Sequence, residues 1–159
     1  MTTQIALQFE AMVDPRGEFR RQPVPLAKRL GSLNGKTVML FDNTQLASQA
    51  KAYGPIFQWL SEYLKSEHQA NCTYGSANLL KESTAATIKL ADELSKSGVD
   101  AVVVALCNAG ITQPTSLFAT ELEMRGVPCV QMCTELAYEL AGVTAAGSVP
   151  GLPIIKTQM

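Results

Sequence analysis

The feature that most constrains the fold is an uninterrupted apolar run in the middle of the chain, from Ala101 to Cys107. The run consists of alanine, valine, leucine and a final cysteine, and polar residues do not alternate with them. A strand with one face in water alternates, whereas a continuous apolar run is typical of a strand buried on both faces of a parallel sheet. The run therefore predicts a central parallel strand.

Patterns on either side of this run alternate between strands and helices. The predicted strands cover residues 37–41, 70–75, 99–107, 127–133 and 152–155. The predicted helices begin at Gly54-Pro55, Ser83, Thr112 and Thr134, and the last three end at Gly98, Gly126 and Gly142. Such alternation is typical of a parallel sheet with helices on both faces. We predict a single three-layer α/β domain with a flavodoxin-like sheet of four or five strands, in the order 2-1-3-4-5.

The first predicted helix carries an apolar face at helical spacing. Its members are Ile56, Trp59, Leu60, Tyr63 and Leu64. Positions i, i+3, i+4, i+7 and i+8 lie on one side of an α-helix. We therefore expect this whole face, including Trp59, to be buried in the core.

The length of 159 residues suits one domain, preceded by a segment of different character. Residues 1–35 lack clean periodicity, and Pro23 and Pro25 prevent regular structure there. We interpret residues 1–35 as an arm and 36–159 as the α/β domain. The arm is expected to pack on the domain or on a neighbouring subunit, which favours a homo- or hetero-oligomer.

Composition argues against several classes of partner. A formal net charge of −1 leaves no basic surface for nucleic acid. No apolar run approaches the roughly 18 residues of a membrane span, and the first residues do not resemble a signal peptide, so we expect a cytoplasmic protein without membrane contact. The four cysteines form no C-x-x-C pair and the chain has one histidine. We therefore expect no metal site, and nothing in the sequence indicates a cofactor.

Polar residues follow three of the predicted strands where each one ends. The clusters are Asp42-Asn43, Cys107-Asn108 and Cys133-Thr134-Glu135. Because the carboxyl ends of parallel strands meet at one edge of the sheet, all three are expected to converge on a crevice between the first and third strands. The alternative is that these strand ends are polar only because loops are solvated.

The segment after the central strand suits an anion. Gly110 permits close approach of the backbone, and a helix beginning at Thr112 offers free N–H groups, so Gly110, Ile111, Thr112 and Gln113 are candidates for holding a carboxylate or phosphate. A plain helix cap is the alternative. Cys107 lies beside this helix start, where the pKa of a thiol can be lowered, and Cys133 has the same position on the next strand. Both thiols are candidates for chemistry, although buried cysteines often only pack.

Several stretches together resemble one family. They are Asp14-Pro15-Arg16-Gly17, residues 33–38 (LNGKTV) leading to Asp42-Asn43, residues 100–104 (DAVVV), residues 121–128 (ELEMRGVP) and Cys133-Thr134-Glu135. Their order and spacing are similar to the UGSC family of cysteine- or selenocysteine-containing proteins. The C-terminal half also resembles the catalytic domain of the B component of glycine reductase and of its sarcosine and betaine relatives. This resemblance implies a redox-active enzyme subunit that acts on a small carboxylate.

The chain departs from that family at the reactive positions. After the central strand the family pattern is Asp, Cys or Sec, Gly, Ser, Cys, whereas this chain has Asn108 to Thr112 with only Gly110 retained. Ala109 stands where the reactive residue is expected and Thr112 where the resolving cysteine is expected. The resemblance therefore implies a scaffold whose own redox motif is lost, and a homologous partner chain is then expected to supply the reactive group.

A second, shorter likeness involves the two strand-end cysteines. Cys107-Asn108-Ala109 is similar to the Cys-Asn-Thr of aspartate/glutamate racemases, and Cys133-Thr134 is similar to their second cysteine motif. This likeness implies proton transfer at the α-carbon of a small acid by two thiols. In those enzymes the cysteines come from two domains, whereas both lie in one domain of this chain.

Three functional hypotheses follow. The first, which the family resemblance favours, is a subunit of a heteromeric enzyme of the UGSC or glycine-reductase-like group. The second is a stand-alone lyase, isomerase or racemase-like enzyme using Cys107, with Asn108 and Thr112 orienting the substrate and Asp42, Cys133 or Glu135 assisting proton transfer. In both, Asn43 and Thr134 complete the crevice. The third is a non-catalytic module that binds a small anion.

Overall fold

The fold is described from a computed structural model covering residues 24–44, 47–108, 110–146 and 149–157, with the side chains of 47–53 outside that description. Residues 1–23, the larger part of the predicted arm, lie outside it too. The elements in chain order are β1 (Thr37–Asp42), α1 (Ala47–His68), β2 (Asn71–Ser76), α2 (Thr84–Ser95), β3 (Ala101–Cys107), α3 (Thr112–Met124), β4 (Cys129–Thr134), α4 (Glu135–Ala146) and β5 (Ile154–Thr157).

The five strands form one sheet in the order β2-β1-β3-β4-β5, and every neighbouring pair is parallel. This confirms the predicted flavodoxin-like arrangement. The chain reverses its direction of travel across the sheet between β1 and β3, which is where a crevice opens in this class of fold. The apolar run therefore occupies the central strand.

Two apolar layers sandwich the sheet. Phe57 and Leu64 of α1 pack with Val38 and Leu40 on one face. Helices α2, α3 and α4 cover the other face, where apolar side chains from β1, β3 and all three helices form the larger core. One helix thus covers one face and three cover the other.

The start of α1 and the burial of its apolar face differ from expectation. The helix begins at Ala47, upstream of Gly54, and continues through Pro55. Leu64 is buried and Ile56 and Leu60 are partly buried, but Trp59 is 65% exposed and stacks on the exposed ring of Tyr63. The apolar face is wider than the strip that one helix can bury against the sheet, so the prediction that Trp59 belongs to the core was wrong.

Other helix and strand ends match the caps expected of them, with two differences. The Ser83 hydroxyl accepts a hydrogen bond from the Ala86 amide at 3.2 Å, as an N-cap residue does. Gly98 and Gly126 follow α2 and α3 with positive φ angles. By contrast, α4 continues beyond Gly142, and β5 lies two residues later than predicted.

The amino ends of the strands are tied together by two carboxylates. The buried Glu123 carboxylate, near the end of α3, accepts hydrogen bonds from the Ala27 amide, from both terminal nitrogens of Arg29 and from the Cys129 amide, at 2.6–2.9 Å. Asp100 accepts bonds from the Thr37 amide and the Lys36 ammonium group. These contacts attach residues 27–37 to the domain and position the starts of β1, β3 and β4.

Candidate active site at the carboxyl end of the sheet

A register irregularity near the end of β3 decides where Cys107 points. Val104 pairs with Gln131 and Cys107 pairs with Cys133, so β3 has one more residue than β4 in this interval. Without that extra residue Cys107 would share the face of Val103, which lies on the α1 side. The bulge turns Cys107 to the opposite face, where it packs with Cys133 and Ala137.

The Cys107 sulfur lies in a buried polar network. The Gln131 amide nitrogen Nε2 donates to Cys107 Sγ at 2.8 Å and to Ser116 Oγ at 3.1 Å. Ser116 Oγ is in turn 3.2 Å from the Gln131 carbonyl oxygen. Gln131 comes from β4 and Ser116 from α3, both side chains are fully buried, and Gln131 links the thiol to α3 through Ser116.

Asn43 extends this network from the end of β1. Its Nδ2 donates to Thr115 Oγ1 at 2.7 Å, and Thr115 Oγ1 donates to the Ile111 carbonyl at 2.8 Å. The Asn43 side-chain oxygen is buried and has no hydrogen-bond partner among the residues that the structure describes. An unmatched buried carbonyl of this kind costs about 1–3 kcal/mol, so its presence calls for a reason other than stability. We name Asn43, Cys107, Thr115, Ser116, Gln131 and Cys133 the thiol cluster.

The surroundings in the thiol cluster shift the pKa values of its two cysteines in opposite directions. A hydrogen bond from the Cys133 thiol is the main cause that lowers the pKa of Cys107, burial opposes it, and Thr115 and Gln131 lower the pKa further. The pKa of Cys133 is raised, because its proton is held in the bond to Cys107 and because it is buried. Cys107 therefore loses its proton more readily than Cys133 does.

The remaining cysteines have other surroundings. Burial raises the pKa of Cys129, which lies in the core beside the Glu123 carboxylate. Cys72, on the edge strand β2, is half-buried. Neither residue belongs to the thiol cluster.

The predicted site residues from the strand ends divide between different surroundings. Asn43, Cys107 and Cys133 belong to the thiol cluster. The Asp42 carboxylate instead accepts bonds from the Thr44 amide and hydroxyl and lines a cleft of about 310 Å³ with Tyr74, beside α1. Glu135 is exposed and pairs with Lys156 at 3.0 Å. Successive residues of a strand point to opposite faces, which explains why neighbours such as Asp42 and Asn43 separate.

The start of α3 is partly closed by its own side chains. Thr112 is buried, and its hydroxyl donates to the Asn108 carbonyl at 2.7 Å. Ile111 is the N-cap residue, it is buried, and it makes no side-chain capping bond. Gly110 and Gln113 are exposed, and Asn108 and Thr134 are half-buried. The predicted anion-binding residues thus form a loop and helix start next to Cys107, with the Thr112 hydroxyl turned to the backbone.

Three members of the thiol cluster were missed by sequence reasoning. Gln131 is a single polar residue between apolar neighbours in β4, and this interruption was the signal that could have revealed it. Thr115 and Ser116 lie in the first turns of α3, on the face that packs against the sheet. Short hydroxyl residues are common near helix starts, so nothing in the sequence distinguished them.

Two other kinds of site, a metal centre and a membrane span, are absent from the part of the chain that the structure describes. No group of three or more histidine, cysteine, aspartate or glutamate side chains is arranged to hold a metal ion among those residues. Within the same ranges, no helix has the length and apolar character needed to cross a bilayer.

The topology defines a flavodoxin-like α/β protein, and a buried thiol network lies at the carboxyl end of its sheet. The particular family is given by a sequence comparison: the model of the UGSC family matches residues 11–159, and the chain belongs to that family. No curated protein and no solved structure matches it significantly.

Proposed function

We propose that this UGSC-family protein is a thiol-dependent enzyme acting on a small carboxylate, with Cys107 as the general base that moves a proton at the carbon next to the carboxyl group. The observation that carries the proposal is the 2.8 Å hydrogen bond from Gln131 Nε2 to Cys107 Sγ, in a network that lowers the pKa of this thiol. A lowered pKa increases the fraction of a cysteine that is thiolate, which is the form that accepts protons.

The proposed step balances within the protein and substrate. The Cys107 thiolate takes the proton, an S–H bond forms, and the electron pair of the broken C–H bond remains on the substrate as an enolate-like carbanion. The N–H groups at the start of α3 are the donors nearest in the chain for the substrate carboxylate. Return of the proton to either face of that carbon gives racemisation, and expulsion of a neighbouring group gives a lyase reaction.

The arrangement of the two thiols favours a single base. Cys107 and Cys133 are paired across β3 and β4 and pack in one buried cluster, so the two thiols lie side by side rather than on either side of a substrate. A two-sided racemase needs its thiols on opposite sides of the reacting carbon. We therefore assign Cys133 to holding the thiolate form of Cys107 and leave the second face of the substrate to solvent or another group.

Cys107 is fully buried, so substrate entry requires the polypeptide covering it to move. The exposed Gly110 lies three residues after this cysteine, next to the start of α3. Movement of loops over a site is a common way to exclude water from a reacting thiolate.

Proton exchange in heavy water tests this proposal directly. The protein is incubated in D₂O with alanine, glutamate, lactate and malate in turn, and loss of each α-proton signal is followed by NMR. The expected result is exchange for at least one acid, lost by at least a hundredfold in Cys107→Ser. Cys72→Ser, at the half-buried cysteine of β2, is the matched control and retains the rate. Equal rates in both variants would remove Cys107 from the mechanism, and no exchange with any acid would count against the proposed substrate class.

The second candidate is the heteromeric subunit, with the reactive cysteine or selenocysteine on a homologous partner chain. Two observations favour it: Ala109 and Thr112 replace the residues expected at the reactive positions, and Cys107 is closed from solvent. Native mass spectrometry of the protein isolated from its own host distinguishes the two. A complex containing a second, cysteine- or selenocysteine-bearing chain supports the heteromeric candidate, and a homo-oligomer or monomer supports Cys107.

A further inference from the structure

Two of the four cysteines of the chain end neighbouring strands side by side. Cys107 is the last residue of β3, Cys133 is the last but one of β4, and the two are partners in the parallel register. Both side chains are fully buried, and they pack in one cluster with Ala137 and Ala141 of α4. The register and the shared cluster place the two thiols next to each other beneath α4.

This pair of thiols depends on the extra residue in β3. Val104 pairs with Gln131, so an even register would place Leu106 opposite Cys133. Leu106 instead packs on the α1 face, and the bulge brings Cys107 opposite Cys133. The irregularity therefore joins two cysteines that regular pairing would separate.

The strand geometry suits a disulfide between these two cysteines and no others in the chain. Neighbouring strands lie about 4.8 Å apart, and the Cα atoms of a disulfide are usually about 4.4–6.8 Å apart. Cys129 lies four residues before Cys133 on β4, which is about 13 Å along the strand. Cys72 lies on β2, and β1 stands between that strand and β3.

We propose that Cys107 and Cys133 are an oxidation site, at which hydrogen peroxide converts the two thiols into a reversible disulfide. The pair does not include the positions where the family resemblance expects the reactive and resolving cysteines, which are Ala109 and Thr112 in this chain. The proposal therefore concerns a second arrangement of cysteines, one that the register of β3 and β4 creates.

The chemistry balances in two steps. The Cys107 thiolate attacks one oxygen of hydrogen peroxide, an S–O bond forms, the O–O bond breaks, and the departing hydroxide takes the proton that Cys107 gave up. The Cys133 sulfur then attacks the Cys107 sulfenic acid, an S–S bond forms, and the S–O bond breaks. The second hydroxide leaves as water with the Cys133 proton. The net reaction oxidises two thiols to one disulfide and reduces one peroxide to two waters.

The surroundings of the two sulfurs favour this order of attack. Gln131 Nε2 donates to Cys107 Sγ at 2.8 Å, the pKa of Cys107 is lowered, and the pKa of Cys133 is raised. The thiolate is the form that is oxidised first, so Cys107 reacts with peroxide and Cys133 resolves the product. Because both residues are fully buried, the site selects an oxidant close to water in size.

One consequence of the disulfide rests on the proposed function. A Cys107 sulfur bonded to Cys133 has no thiolate form, so it cannot take a proton from a substrate. A thiol reductant breaks the disulfide by exchange and restores the base. Oxidation would thus stop the proposed reaction reversibly.

Mass spectrometry of the full chain tests the proposal. Reduced protein is treated with hydrogen peroxide at neutral pH, unfolded, alkylated with iodoacetamide and digested with trypsin without reduction. Trypsin cleaves at Arg125, so Cys107 and Cys133 fall in different peptides, 97–125 and 126–156. We expect these two peptides to become linked within one chain and to separate after treatment with dithiothreitol. The intact mass before digestion shows whether the link lies within one chain.

The partner of Cys107 is read by fragmentation of the linked peptides, which needs no substitution. The expected result is a link to Cys133, with Cys129 and Cys72 alkylated. A link to Cys129 or Cys72, or a link only between two chains, would overturn the proposal. Alkylation of all four cysteines, after an exposure that fully oxidises glutathione in the same solution, would overturn it too.

Two substitutions add an independent measurement. Cys133→Ser is expected to abolish the link and to leave Cys107 as a sulfenic acid or a higher oxide. Cys129→Ser changes the other buried cysteine of β4, and as the matched control it should form the link at the wild-type rate. Circular dichroism establishes that both variants are folded. Persistence of the Cys107 link in folded Cys133→Ser would contradict the proposed pair.

The oxidation site and the proposed function fail separately, because the link is read by mass and the function by exchange of the α-proton. A link in a chain that exchanges no α-proton when reduced supports the oxidation site and counts against the base. Exchange in a chain that forms no link supports the base and overturns the oxidation site. Where both occur, exchange should fall in proportion to the linked fraction and return with dithiothreitol, and exchange that persists in the fully linked chain would contradict the regulatory consequence.

Discussion

Buried polar groups at the two ends of the sheet differ in how fully they are hydrogen-bonded. At the amino end, Glu123 accepts four hydrogen bonds, one of its partners being the cation Arg29, and Asp100 is bonded to a backbone amide and a lysine. At the carboxyl end, the thiol cluster contains no charged partner among the described residues, and the Asn43 oxygen is unmatched. Saturated groups stabilise a fold, whereas polar groups left partly unsatisfied are typical of functional sites.

The amino and carboxyl ends of the sheet therefore differ in role. The amino end attaches residues 27–37 to the domain through contacts that are far apart in sequence, which is what a structural anchor does. The carboxyl end places a hydrogen-bond donor from β4 beside a sulfur at the end of β3. The substitutions that follow test this division, from the largest expected effect to the smallest.

Glu123→Ala should be the most destabilising change. It removes the acceptor of the buried Cys129 and Ala27 amides and leaves the Arg29 guanidinium without its partner. We expect a loss of about 3 kcal/mol in the free energy of unfolding, measured from urea denaturation. Glu93→Ala, which breaks only an exposed pair with Lys89, is the control and should cost less than about 0.5 kcal/mol. A loss in unfolding free energy below about 1 kcal/mol in Glu123→Ala would contradict the role of Glu123 as a structural anchor.

Gln131→Met should alter thiol reactivity more than stability. Methionine approximates the size of glutamine but cannot donate to Cys107, so the pKa of this thiol should rise. Alkylation of Cys107 by iodoacetamide near neutral pH, followed by peptide mass spectrometry across a pH series, should become slower. Gln113→Met, at the exposed glutamine of α3, should leave the rate unchanged. An unaltered pH profile in Gln131→Met would show that the amide does not control the thiol.

Asn43→Leu provides the sharpest contrast with Glu123. Asn43 is equally buried, but leucine removes its unmatched carbonyl together with the bond that Nδ2 donates to Thr115, and the Thr115 hydroxyl keeps its own bond to the Ile111 carbonyl. The free energy of unfolding should therefore change by less than about 1 kcal/mol, while the proposed proton exchange decreases. Destabilisation as large as that of Glu123→Ala would show that the carboxyl end is an anchor too.

Asp100→Asn should have the smallest effect, a slight loss of stability at neutral pH that disappears in acid. The pKa of Asp100 is lowered, first by the Thr37 amide and then by Lys36. A carboxyl with a lowered folded pKa stabilises above its unfolded value of about 3.9, and this contribution is lost as pH falls through the folded value. The drop in urea midpoint between pH 7 and pH 3 should therefore be smaller in Asp100→Asn than in the unaltered chain. An identical drop would mean that Asp100 does not contribute to acid sensitivity.

Sequence patterns predicted the order of elements because that order depends on local signals. The apolar run of β3 marks the central strand, Ser83 marks the start of α2, and Gly98 and Gly126 mark helix ends. Apolar periodicity was a weaker guide at α1, because it cannot show how wide a strip the sheet covers, and Trp59 therefore came out exposed.

The sequence by itself determined a parallel sheet in which the ends of β1, β3 and β4 converge, because buried strands and helical crossovers leave few other arrangements. Only the tertiary structure decided which side chains meet there. One extra residue in β3 turns Cys107 towards α4, and the alternation of β1 sends Asn43 to the thiol cluster and Asp42 to the α1 side. A shift of one residue reverses the direction of a strand side chain, and the pairing that sets the shift lies between strands far apart in the chain.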